Sequence, residues 1–134
     1  MINSKSEFLN TKQIPRHQIT KSKHYDLEER TFLFAMRVNK YVRELPRTIP
    51  NIEHGRQLVK SSGSVGANYI EANESLSKKD FAMRIKISKK ESKESRYWLR
   101  LTEPIDAEKQ EKESLINEAT ELMKIFGAIL EKCK

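Results

Sequence analysis

From Leu27 onward, apolar residues recur at alternating steps of four and three, the spacing that keeps one face of an α-helix out of water. Leu27, Thr31, Phe34, Val38, Tyr41 and Leu45 form the first such seam, and Phe32, Ala35 and Val42 widen it. Asp26 stands where an N-cap is wanted, with Glu28 and Glu29 at the positive end of the helix dipole. Pro46 and Pro50 are expected to stop this helix and bracket a short loop. A second helix, from about Asn51 or Ile52 to Asn73, carries Leu58, Ser62, Val65, Tyr69 and Ala72. A third opens on the capping box Ser77-Lys78-Lys79-Asp80 and carries Phe81, Ile85, Ser88, Ser92, Ser95, Leu99 and Thr102 before Pro104. The fourth, capped near Asp106, carries Leu115, Ala119, Leu122, Phe126, Ile129 and Cys133, with Ile116, Met123 and Leu130 alongside.

Short connections between four such helices force antiparallel neighbours. The pattern therefore predicts an all-α, antiparallel up-down-up-down four-helix bundle over residues 26–134, preceded by a flexible basic N-terminal tail over residues 1–25. No segment alternates with period two, so no sheet is expected. Two features ask for close helix packing. Gly63 and Gly66 inside the second helix each cost about 1 kcal/mol relative to alanine, which a near neighbour would offset. The middle of the third seam is three serines, so the small stretches of helices two and three are expected to face each other.

Composition fits this reading, with 37% hydrophobic and 34% charged residues and few glycines or prolines among 134 residues. The formal charge is +7, and its placement matters more than its size. Residues 1–24 hold five lysines and arginines against Glu7 alone, and residues 78–100 hold nine against Asp80, Glu91 and Glu94. Two like-charged regions favour an anionic partner, nucleic acid first and an anionic membrane surface second, against the plainer reading of a solvated face. No apolar run approaches the roughly 20 residues needed to span a bilayer, and Met1–Lys5 opens no signal-like apolar core. With Cys133 as the single cysteine, a cytoplasmic location is expected.

The candidate phosphate contacts are Lys86, Lys89, Lys90, Lys93, Arg96 and Arg100, spaced at three or four on the side of the third helix opposite its serines. Aromatic side chains able to stack on bases are sparse there apart from Tyr97. Glu91 and Glu94, with Asn68 and Glu71 on the second helix, suggest inward-facing carboxylates of the di-iron kind. That chemistry needs Glu-x-x-His pairs, and none of His17, His24 and His54 stands three residues after a glutamate. A polar network is the better reading, with no metal and no cofactor. Gly63-Ser64-Val65-Gly66 fits the G-x-x-G of a KH loop but lacks the strands that loop requires. No catalytic motif is present, and Cys133 reads as a seam residue rather than a nucleophile.

Two stretches carry a family resemblance. Ser62-Gly63-Ser64-Val65-Gly66-Ala67-Asn68-Tyr69-Ile70-Glu71-Ala72 is similar to S-x-x-x-x-A-N-I-x-E-[AG], with Tyr69-Ile70 standing where Ile and a variable residue are more common. Lys90-Glu91-Ser92-Lys93-Glu94-Ser95-Arg96-Tyr97-Trp98-Leu99 is similar to K-E-A-x-E-x-x-Y-W-L. Both motifs belong to the bacterial four-helix-bundle proteins encoded in intervening sequences of large-subunit (23S) ribosomal RNA genes, which are related to the accessory protein of diversity-generating retroelements. Over residues 25–134 the chain resembles that family. The resemblance implies a homopentameric ring without catalytic activity that binds nucleic acid, RNA or DNA, through basic surfaces. It implies structural or subunit-interface roles for Asn68, Glu71, Glu91, Glu94 and Trp98. Two alternatives stand beside it: a scaffold ring for a protein partner such as a reverse transcriptase or ribosome-associated factor, and, more remotely, a di-metal carboxylate enzyme. A membrane partner is not expected.

Overall fold

Thr48 shows how local chemistry starts a helix. Its hydroxyl accepts from the Asn51 backbone N–H at 3.2 Å, and Pro50 sits in the first turn, where a missing N–H breaks no helical bond. The helix therefore begins at Ile49, ahead of Pro50, and not after it as expected. In the computed structural model, which describes residues 23–134 and side chains from Leu27 on, four α-helices follow one another. These are α1 (Lys23–Arg43), α2 (Ile49–Asn73), α3 (Lys78–Leu101) and α4 (Lys109–Lys132). No strand occurs among the described residues.

Ser77 caps α3 as the sequence predicts, accepting from Asp80 N at 3.1 Å. Two other caps differ from expectation. The helix is already formed at Lys23, so Asp26 lies inside α1 and cannot cap it. A 3-10 turn, Asp106–Glu108, precedes α4, and Asp106 makes no cap bond but pairs with Lys109 at 2.9 Å. Most of the expected basic segment 1–25 lies outside the described residues.

Compactness divides the chain between Arg30 and Thr31, and the core lies in the body Thr31–Lys134. Within it Thr31, Phe34, Val38, Tyr41 and Leu45 of α1 and its end are buried, as are Leu58, Ser62, Val65, Tyr69 and Ala72 of α2. Ile85, Ser88, Ser92, Ser95, Leu99 and Thr102, and Leu115, Ala119, Leu122 and Phe126 of α4, are buried as well. The registers run antiparallel. On α2, Gly55 lies against Val42 and Gly66 against Thr31. Ser61 bonds Ser95 at 2.9 Å and Ser88 donates to the Val65 carbonyl at 2.9 Å, joining α2 to α3. Arg96 reaches Thr120 at 3.2 Å, joining α3 to α4. Arg37 closes the ring by a bidentate bond to Glu111, both at 3.1 Å. The result is an all-α four-helix bundle.

The serine interface is polar yet satisfied, which matters because an unbonded buried hydroxyl costs several times a bonded one. Ser61 donates to the Leu58 carbonyl, leaving Ser95 as donor to Ser61; Ser62 donates to Val59 and Ser92 to Ser88. Small side chains here let the backbones approach closely enough for Ser88 to reach across to α2. Departures from the predicted seams fall at their edges: Phe81 and Ile129 are half-buried, Phe32 is exposed, and Cys133 is exposed at the end of α4.

Candidate nucleic-acid interface

With Ser88, Ser92 and Ser95 turned inward, helical geometry sends the residues half a turn away into solvent. Lys86, Lys89, Lys90, Lys93 and Arg100 are all exposed on α3. Lys90 pairs with Glu91 at 3.6 Å, and Lys89 leans over Gly127 of α4. The side chains of Lys86, Lys93 and Arg100 have no ion pair among the described residues. Arg96 is different. It is half-buried and spends one guanidinium N–H on the Thr120 hydroxyl, so it ties α3 to α4 at the edge of the row.

The groove between α2 and α3 collects the family-motif residues. Asn68 donates to the Ser64 carbonyl at 2.9 Å and accepts from Arg84 at 3.0 Å, so its amide bridges the two helices. Half-buried Glu91 and exposed Glu94 line a polar cleft of about 210 Å³ with Gln57, Lys60, Ser61 and Ser64. Glu71 is exposed. Half-buried Trp98 stacks on His54 with ring centroids 5.7 Å apart and planes 25° apart, and Tyr97 stands edge-on to Trp98 at 5.0 Å. Sequence reasoning missed this aromatic group, because His54 and Trp98 are brought together only by the register of α2 on α3. No group of three or more His, Cys, Asp or Glu able to hold a metal occurs among the described residues. At the start of the last helix, the hydrogen bond from Lys109 lowers the Asp106 pKa.

Two further anchors set the end of the bundle. Buried Asn51 donates to the carbonyls of Pro46 and Glu103, at 3.0 and 2.9 Å, and accepts from Glu103 N at 2.9 Å. It thereby clamps the α1–α2 loop to the segment leaving α3. Tyr41 meets Thr102 at 2.8 Å in the core below.

Residues 23–128 match the 23S rRNA-intervening sequence protein family. The chain belongs to that family. A solved structure agrees in fold: a protein of unknown function from the S23 ribosomal protein family, from Bacteroides thetaiotaomicron VPI-5482, is 28% identical, with a TM-score of 0.68. The similarity covers 81% of this chain and 98% of that one. No curated protein matches. The intervening-sequence family match takes in both motif stretches and all of α3's exposed cations. Among the described residues no helix is long and apolar enough to cross a membrane.

Proposed function

We propose that this intervening-sequence protein is a non-catalytic, cytoplasmic nucleic-acid-binding protein that assembles as a homopentamer and holds phosphates along the outer face of α3. The observation that carries the reading is the exposed, ion-pair-free set Lys86, Lys93 and Arg100 on a bundle helix whose opposite face is fully used in the core. Long cations without protein partners are what counterion release from a phosphate backbone requires. The motif residues support a structural role: Asn68 is spent on Ser64 and Arg84, and Trp98 on His54.

Self-assembly rests on other residues. Phe32, Leu33 and Met36 lie within little more than one turn of α1, Ile52, Val59 and Ile70 share one face of α2 by their spacing, and exposed apolar side chains arranged so mark association surfaces. Sedimentation of the purified chain tests assembly, with a mass near five times 15.7 kDa expected and a monodisperse monomer refuting it. Titration with RNA and DNA at low and moderate salt tests binding. Tight low-salt binding that weakens steeply with salt is expected; absence of binding at low salt would end the proposal.

A further inference from the structure

We infer that the outer face of α3 takes unpaired nucleotides, with phosphates on Lys86, Lys93 and Arg100 and a base stacked on Tyr97, whose ring is held by Trp98 and His54. The inference rests on the phosphate-binding reading above and adds to it the class of nucleic acid. Lys86, Lys93 and Arg100 follow one another at two helical turns each, and Tyr97 stands one turn from Lys93 and one from Arg100. An aromatic ring is thus set between two cations that have no ion pair among the described residues.

Tyr97 has no part in the buried core, being 55% exposed. It is nonetheless held. Its ring packs edge-on against Trp98 at 5.0 Å, and Trp98 is stacked in turn on His54 across the α2–α3 groove. A ring fixed in this way loses little freedom when a base lies on it. The neighbouring acids give the site a direction. Glu91, paired with Lys90, and exposed Glu94 lie on the α2 side of the row, so phosphates are repelled there and favoured on the side of Lys93 and Arg100. A duplex hides the faces of its bases in its own stack and could use only the cations. An unpaired strand offers both phosphates and π-faces, and stacking of this kind tolerates any base.

Trp98 is the single tryptophan of the chain, so its emission reports on the platform directly. The full-length protein would be titrated with a short mixed-sequence single strand, the blunt duplex of the same sequence, and inorganic polyphosphate. Quenching of Trp98 emission by the single strand alone is expected. Tyr97→Ala, at an exposed position, should weaken single-strand binding at least about fivefold and duplex or polyphosphate binding less than about twofold, with Tyr97→Phe restoring the difference. Equal affinity for strand and duplex with unchanged emission, or quenching alike by all three, would overturn the platform while leaving the phosphate row in place. Binding of none of the three at low salt would remove the phosphate row and the platform together.

Discussion

At the scale of single residues, the Tyr41–Thr102 pair is the most exacting contact in the core. Thr102 gives its proton to the Leu99 carbonyl at 2.6 Å, so Tyr41 is the donor of the 2.8 Å bond between the hydroxyls. Burial is the main cause that raises the Tyr41 pKa above 10.0, and the nearby charge of Glu108 adds to it. The folded state then binds the phenolic proton more tightly than the unfolded chain does. Its contribution to stability is complete below pH 10 and is lost as pH rises through the higher folded value. Tyr41→Phe should cost about 1 kcal/mol at neutral pH and flatten the alkaline fall in stability, as urea denaturation at pH 7 and above pH 10 would show. Asn51 carries a larger load. Asn51→Ala strands the Glu103 carbonyl and N–H and leaves the Pro46 carbonyl with Thr48 N–H alone, and a loss of about 2–3 kcal/mol is expected in the same measurement. Neither role was legible in the sequence. Asn51 reads there as a helix start, because its partner Glu103 is 52 residues away, and Pro50 masks the true start at Ile49.

At the scale of elements, the four-and-three spacing was enough to place all four helices and nearly every buried position, since a helix that must hide one face leaves no freedom in which residues are apolar. What spacing could not do was tell one small residue from another. Gly66 and Gly63 look alike in the chain, yet a Cβ at Gly66 would meet the Thr31 hydroxyl at 2.8 Å, whereas one at Gly63 meets nothing within 4 Å. Of these two, Gly66 is the one required by the close approach of α1 and α2. Gly66→Ala should therefore destabilise the bundle by about 1–3 kcal/mol despite its better helix propensity. Gly63→Ala should stabilise the protomer by up to about 1 kcal/mol, and thermal melts of the two variants check both signs. Gly63 lies near exposed Val59 and Ile70 on α2, so a Gly63→Ala protein that melts higher but no longer assembles would place a second copy against that turn. The aromatic platform shows the same limit at longer range: Trp98 and Tyr97 were visible as motif residues, but His54 joined them only through helix register.

At the scale of the whole molecule, charge is the quantity that connects fold to function. The net charge of +7 is concentrated in residues 1–24 and along α3, while residues 106–134 carry more acids than bases. Because each neutralised phosphate releases about 0.9 of a counterion from duplex DNA, the steepness of the salt dependence counts the cations in contact. Lys86, Lys93 and Arg100 are exposed and without ion pairs, so replacing all three by glutamine should leave the bundle folded. If they touch phosphates, the slope of log K against log salt should fall by about 2–3 in the triple variant. Glutamine at exposed Lys124 and Lys132 of α4 is the control, and there the slope should stay as it is. Arg96 is left intact in both proteins, since its bond to Thr120 joins helices and its loss would confuse packing with binding. An unchanged slope in the triple variant would move the contact off Lys86, Lys93 and Arg100 and onto the remaining basic residues, those of residues 1–24 first.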